Sequence, residues 1–209
     1  PFLETSATVD TLVTPDEIYL NILISEKDTK GKSSVEELES KMERSLKQLG
    51  IDTKKDLMLN DVASNFKKYF LKDQDVLKSK VYSLKVDNAQ TAGLVILELE
   101  KLEIANVLLD RTEFSRIEQL MLELRSKAVA KAKKQAEFMT APLGQKVGAA
   151  IHISDQPDNT VRNSLQGRTP GVLIRGMSSV KNDEFKPADI EFEKIRVESS
   201  VFVKFKIEE

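Results

Sequence analysis

Three stretches of the chain alternate apolar or small side chains with polar ones at period two. That is the spacing at which a β-strand sends successive side chains to opposite faces. Within residues 3–13, Leu3, Thr5, Ala7, Val9, Thr11 and Val13 fall on one side, and within 17–25 Ile18, Leu20, Ile22 and Ile24 do. Near the other end, Ile195, Val197, Ser199, Val201, Val203, Phe205 and Ile207 share a face within 192–207, with a bend expected near Ser199-Ser200. Thr14-Pro15-Asp16 separates the first two runs, and Pro15 pre-sets the backbone angle of a turn. The spacing predicts a long hairpin between them.

Helical patterns lie between the strands. Ser33 and Ser34 each precede a Glu by three residues, the capping-box spacing. Val35, Leu38, Met42, Leu46 and Leu49 then form one stripe that ends at Gly50. Asp87 with Gln90 predicts a second helix start, running to about Leu102. Ser115 with Glu118 predicts a third, the longest, to about Met139. Its inner stripe is Ile117, Leu120, Met121, Leu124, Ala128, Ala132, Ala136 and Met139, and Pro142 and Gly144 stop it. Ala at four-residue spacing lets a helix backbone approach a sheet closely.

Further strands are predicted over 57–70 and 76–86, joined as a second hairpin by Lys72-Asp73-Gln74-Asp75, and over 105–114 and 147–153. Tyr69, Phe70 and Tyr82 read as cross-strand packing or as an exposed aromatic patch. Residues 155–190, with three Pro and three Gly, read as a long loop or insertion. The order β-β-α-β-β-α-β-α-β-loop-β predicts an α+β fold with largely antiparallel sheet and packed helices. It predicts a single domain over 1–209, in one lobe or two.

Composition excludes several chemistries. Lys plus Arg number 32 and Asp plus Glu 34, for a net charge of -2. Nucleic acid and anionic membrane would be met by a positive excess, so neither is expected as a partner. No Cys and one His exclude disulfides, thiolate nucleophiles, Cys-based metal sites and sites needing two His from one chain. No apolar run reaches the roughly 18 residues of a membrane span. Leu143-Gly144-Gln145-Lys146-Val147-Gly148 has neither Walker nor Gly-x-Gly-x-x-Gly spacing, so no cofactor is expected. His152 precedes Ser154 and Asp155, but adjacency along a strand does not build a triad. The scattered acids read as solvated faces rather than a converging pair. No catalytic residue is assigned.

Two segments qualify as interaction surfaces. Lys127, Lys131 and Lys134 lie on one helical face, opposite the Leu/Ala stripe, and can meet phosphates or an acidic partner. A solvated face, favoured by the helix dipole, is the plainer reading. In the loop, Val172, Leu173 and Ile174 beside Arg162, Arg168 and Arg175 can add a strand to an exposed edge of another subunit, or simply form a surface excursion.

Several features coincide along the chain. Thr14-Pro15-Asp16 follows the first strand. A helix ends in Leu46-Lys47-Gln48-Leu49-Gly50-Ile51. The Ala-rich run Ala128-Val129-Ala130-Lys131-Ala132 precedes Leu143-Gly144-Gln145-Lys146-Val147-Gly148-Ala149-Ala150-Ile151. The end reads Ile195-Arg196-Val197-Glu198-Ser199-Ser200-Val201-Phe202-Val203-Lys204-Phe205. This ordered series resembles the SIMPL-domain family of bacterial exported and cell-envelope proteins, over about residues 4–207 outside the loop. It departs from the family's pattern at Glu4-Thr5-Ser6-Ala7, where the family carries Gly, and in the charge- and Pro-rich loop. The resemblance implies an α+β fold, export to the periplasm or cell envelope, and association with stress defence. It implies no catalytic motif, since the family's biochemical activity is not established. Pro1 in place of Met agrees with removal of a leader.

The expectation is therefore a non-enzymatic exported protein acting by self-association as a homo-oligomer or by binding an envelope partner. The alternative is a small-ligand binding module with a pocket between the Ala-rich helix and the sheet.

Overall fold

In the computed structural model, Ile18, Leu20, Ile22 and Ile24 are all at most 1% exposed. A strand achieves this only inside a sheet whose apolar face is covered. The structure describes residues 1–64, 78–156 and 191–209, with 61–64 and 156 described by backbone alone. The elements run β1 (Phe2–Val13), β2 (Glu17–Ser25), α1 (Val35–Gln48), α2 (Thr53–Asp56), β3 (Leu57–Ser64), β4 (Lys78–Val86), α3 (Ala89–Lys101), β5 (Asn106–Glu113), α4 (Ile117–Thr140), β6 (Lys146–Gln156) and β7 (Ile195–Glu208). Helices and two antiparallel sheets make an α+β fold, in the order expected with the short α2 added before β3. The described residues divide into two compact units, 1–14, 114–156 and 194–209 in one, and 15–64, 78–113 and 191–193 in the other.

In the second unit the sheet order is β3-β4-β2-β5. Its apolar face is covered by α1 and α3. Val35, Leu38, Met42 and Leu46 of α1 and Ala92, Val95 and Leu99 of α3 join the four Ile and Leu residues of β2 in one core. Burying each large side chain there contributes roughly 1.5–3 kcal/mol. Ser34 caps α1 by accepting from the Glu37 N–H at 3.2 Å. Gly50, at φ 82°, closes it. The β3–β4 pairing is antiparallel as predicted; Lys72–Asp75, Tyr69 and Phe70 lie outside the described residues. Tyr82 is buried in the core.

In the first unit the sheet order is β1-β7-β6, and α4 lies across one face. Leu124, Ala128, Ala132, Ala136 and Thr140 form its buried stripe. The three Ala residues are fully buried against Ala7, Val201, Val203 and Phe205. With no side chain beyond Cβ, they let the helix sit close on the sheet.

Four expectations are corrected. β1 does not form a hairpin with β2: it pairs along its whole length with β7. Both edges of β2 are taken by β4 and β5, so no edge is left for β1, and Asp16 N–H bonds to Glu113 O instead of turning back. The α3 cap is Asn88, whose Oδ1 accepts from the Thr91 N–H at 2.8 Å, one residue after Asp87. The α4 N-cap is not the expected Ser115 but lies one residue later. Ile117 N–H bonds to Phe114 O, and this turn moves the N-cap to Arg116, which makes no side-chain cap bond. Met139 leaves the stripe and is exposed, because three residues beyond Ala136 the helix has turned outward. Thr140 takes the buried place and donates to Ala136 O at 3.1 Å. The bend near Ser199 leaves no gap in pairing, since Val9–Ser199 and Thr8–Ser200 continue the β1 register.

Candidate functional site

Among the described residues β1 is an edge strand of its sheet. Ile207 N–H donates to Pro1 O, and the register pairs Phe2 with Lys206 and Leu3 with Phe205. In an antiparallel ladder, residues with amides toward the partner alternate with residues whose amides point away. Pro1 and the odd-numbered residues after it therefore bond to β7. Phe2, Glu4, Ser6, Thr8, Asp10 and Leu12 direct their backbone N–H and C=O groups away from β7, to an edge that no other described strand covers. The pairing with β7 runs from Phe2 to Val13 with no bulge.

Helix α4 borders this edge. Lys131 Nζ donates to Thr8 O at 2.8 Å. Toward the helix C-terminus an open groove of about 640 Å³ is lined by Thr5, Lys131, Lys134, Gln135, Phe138 and Met139. The helix thus runs antiparallel to β1, with Lys131 at Thr8 and the Phe138 end at Thr5. Phe138 is 71% exposed and Met139 54%, and the Lys134 ammonium sits 6.0 Å from the Phe138 ring centre. Lys127 is exposed one turn before Lys131.

The structure therefore brings Lys131 and Lys134 together at one groove, with Lys127 on the same flank. It corrects their placement: Lys131 lies beside the Ala stripe, at the sheet edge, and not opposite it. The Ala stripe itself lines no part of the groove, because its residues are closed against the sheet. Phe138 is not among the residues the sequence pattern marks, and Met139 is marked only as a member of the buried stripe. The signal was an aromatic one turn past Lys134 and off the buried stripe.

On the opposite face of the sheet the acids of β1 are already paired. Glu4 meets Lys204 at 2.6 Å and Asp10 meets Arg196 at 3.1 Å. The charge left on the groove side is that of the lysines. The other edge of this sheet, β6, is less regular. Its register shifts between Val147 and Ala150 and again before His152, and Ile151 and Ile153 are exposed. Bulges of this kind interrupt further pairing.

Other polar constellations are internally matched. His152 is exposed and lies opposite Lys204, whereas Asp155 pairs with Arg125 at 2.8 Å. In the second unit, Arg111 lies 3.7 Å over the Tyr19 ring and bonds to Glu113 at 2.6 Å and Asp110 at 2.7 Å. Partial burial, with Glu113 and Glu17 nearby, raises the Tyr19 pKa. The Lys85 pKa is raised by its bond to Glu17. Burial and the Glu39 carboxylate hold the Tyr82 hydroxyl protonated well above the ordinary tyrosine range. Among the described residues no cluster of three or more His, Asp or Glu is placed to hold a metal. No helix among them is long and apolar enough to cross a membrane. Val172, Leu173, Ile174 and Arg175 lie outside the described residues.

The model of one protein family, SIMPL, described as a protein of unknown function (DUF541), matches residues 3–205. The chain belongs to the SIMPL family. No curated protein sequence matches it. For this SIMPL domain the match runs through β1, α4 and β7, so the edge and its flanking helix belong to the family's shared region.

Proposed function

We propose that this SIMPL-domain protein is an exported, cell-envelope protein that works by taking up an extended strand of another polypeptide along β1, not by catalysis. The observation that carries this is the edge itself. A regular strand of 12 residues presents its outward amides beside a groove with exposed apolar side chains. Main-chain bonds along such an edge supply affinity, and adjoining pockets supply selectivity. Family membership is what supports the envelope setting and a role in stress defence.

A strand of different sequence fits better than a second copy of β1. Pairing β1 with itself about an axis at Ala7 sets Ser6 opposite Thr8. The two Lys131 ammoniums then meet on the same stretch of edge, where like charges repel. Shifting so that Thr8 faces Thr8 brings them closer still, whereas setting Thr8 opposite Glu4 separates them by roughly 13 Å, where salt screens the repulsion.

The test is site-specific photo-crosslinking from position 8 in the cell envelope, with and without Ser6→Pro. The Ser6 N–H points away from β7, so proline removes an edge donor and leaves the sheet intact. A discrete adduct that Ser6→Pro abolishes is expected. Absence of adducts, or adducts indifferent to Ser6→Pro, would refute the reading, and an adduct of twice the chain's mass would replace it with self-assembly.

A further inference from the structure

We propose that the strand taken up along β1 is acidic, with carboxylates on its α4-facing side opposite Lys131 and Lys134 and an apolar side chain opposite Phe138. This rests on the reading of β1 as the binding edge and goes on to name the chemistry of the occupant.

The inference starts from Thr8 O. Its carbonyl points away from β7 and is held by Lys131 Nζ at 2.8 Å. An incoming strand places an N–H on this same carbonyl. A carbonyl oxygen has two lone pairs, so the ammonium then shares Thr8 O or moves aside, and in either position a neutral strand offers its charge no partner. A carboxylate on the strand's α4-facing side offers it a charge-assisted hydrogen bond.

Spacing agrees. Lys127 to Lys134 spans about 10 Å along a helix at 1.5 Å per residue. Carboxylates two residues apart on a strand lie about 7 Å apart, so two acids cover the row. Beyond Lys134 the flank turns apolar at Phe138 and Met139, and there the strand's next α4-facing residue meets the groove.

The surrounding charges do not cancel this field. Glu4 and Asp10 face the other side of the sheet and are bonded to Lys204 and Arg196. On α4, Glu137 lies 4.0 Å from Lys133, and Glu123, which accepts from the neutral Gln119 amide, keeps its charge four residues before Lys127, so the acid-selecting positions are Lys131 and Lys134. A basic strand would meet Lys127, Lys131 and Lys134 head-on.

The probe is a fluorescent, acetylated and amidated heptapeptide, Leu-Thr-Glu-Thr-Glu-Thr-Leu, whose symmetry serves both strand directions. Its binding to the whole chain is read by fluorescence anisotropy at low and high salt. Saturable binding that weakens with salt is expected. Exchanging both Glu for Lys in the probe should weaken binding at least about tenfold, the factor that about 1.4 kcal/mol represents. The double variant Lys131→Glu with Lys134→Glu should weaken the Glu probe by a similar factor and improve the Lys probe. Both positions are exposed, and an unchanged circular dichroism spectrum and melting temperature would confirm the fold.

If the Lys probe binds as well as the Glu probe, and N-methylation of the probe's amides abolishes both, the acidic inference falls and the β1 reading stands. If the Glu probe binds but ignores N-methylation and Ser6→Pro, the β1 reading falls with it. If dodecanoate binds at the groove and the Glu probe does not, the site is one for small amphiphiles and both are overturned.

Discussion

Replacing Ala132 by Leu adds three carbons at a position that is 0% exposed. Two outcomes of opposite sign are open, and local space decides between them. Were the Ala stripe the wall of a pocket, the added carbons would fill it, each worth about 0.8 kcal/mol, for a stabilisation of about 2 kcal/mol. The structure leaves no such space. Ala128 and Ala136 are also fully buried, and the facing Ala7, Val201, Val203 and Phe205 are at most 4% exposed. Overpacking a filled site costs about 1–3 kcal/mol. The upper end applies here. The neighbours along α4 are themselves Ala and cannot rotate away, so the helix must lift from the sheet and surrender burial along the stripe. The expectation is a loss of about 3 kcal/mol. Urea unfolding followed by far-UV circular dichroism measures it, as a lower midpoint at unchanged slope. Ala130→Leu, on the exposed side of the same helix, is the control and should stay within about 0.5 kcal/mol. A midpoint for Ala132→Leu equal to or above that of the parent would refute the packing argument and revive a ligand pocket beneath α4.

Three further outcomes follow from the second unit. Lys80 Nζ lies 2.6 Å from Glu39 Oε2. Burial pushes the Glu39 pKa up, but the bond with Lys80 and the nearby Tyr82 hydroxyl outweigh it, and the net shift is downward from 4.5. The folded chain therefore releases this proton more readily than the unfolded one. Its stabilisation is complete above pH 4.5 and is lost as pH falls through the lower folded value; Glu39→Gln should be less stable than the parent near neutrality, the gap closing in acid, as thermal melts at several pH values will show. Asn88→Ala should cost about 1 kcal/mol through loss of the α3 cap, and Asp87→Ala much less; paired chemical denaturation curves compare them. Gly50→Ala meets nothing within 4 Å, so any loss is purely that of the left-handed backbone, about 1–2 kcal/mol, read as a lowered melting temperature.

How much of this was visible beforehand differs by level. The face each strand buries was legible, because period two is a local property. Val197, Ser199, Val201, Val203 and Phe205 are all buried, as their spacing requires. Which strand lies beside which was not legible. The pattern of β1 would serve equally next to β2 or β7, and nothing in Thr14-Pro15-Asp16 records that both sides of β2 are already taken. Helix starts sit between these cases. Ser34 caps as its spacing indicates, but at Ser115 a preceding turn at Phe114 displaced the cap. The lysine row was legible as a helical face. Its position at a sheet edge was not, since that depends on how α4 lies across strands distant in sequence.

That position gives Lys131 two consequences that pull together. A long, regular edge strand invites indiscriminate pairing, and lysine at the edge is a common defence. Lys131 blunts β1 by occupying Thr8 O, and its charge opposes a second copy arriving with its own lysine. The same bond sets the condition for entry, because the ammonium yields most readily to a strand that offers it a carboxylate. Lys131→Met retains the length of the side chain and removes both effects. It should raise the tendency to self-associate, seen as concentration-dependent light scattering, and should flatten the preference between Glu and Lys probes. A variant whose scattering is unchanged while the preference is lost would separate the two roles, and one that keeps the preference would place acid selection on Lys127 and Lys134 alone.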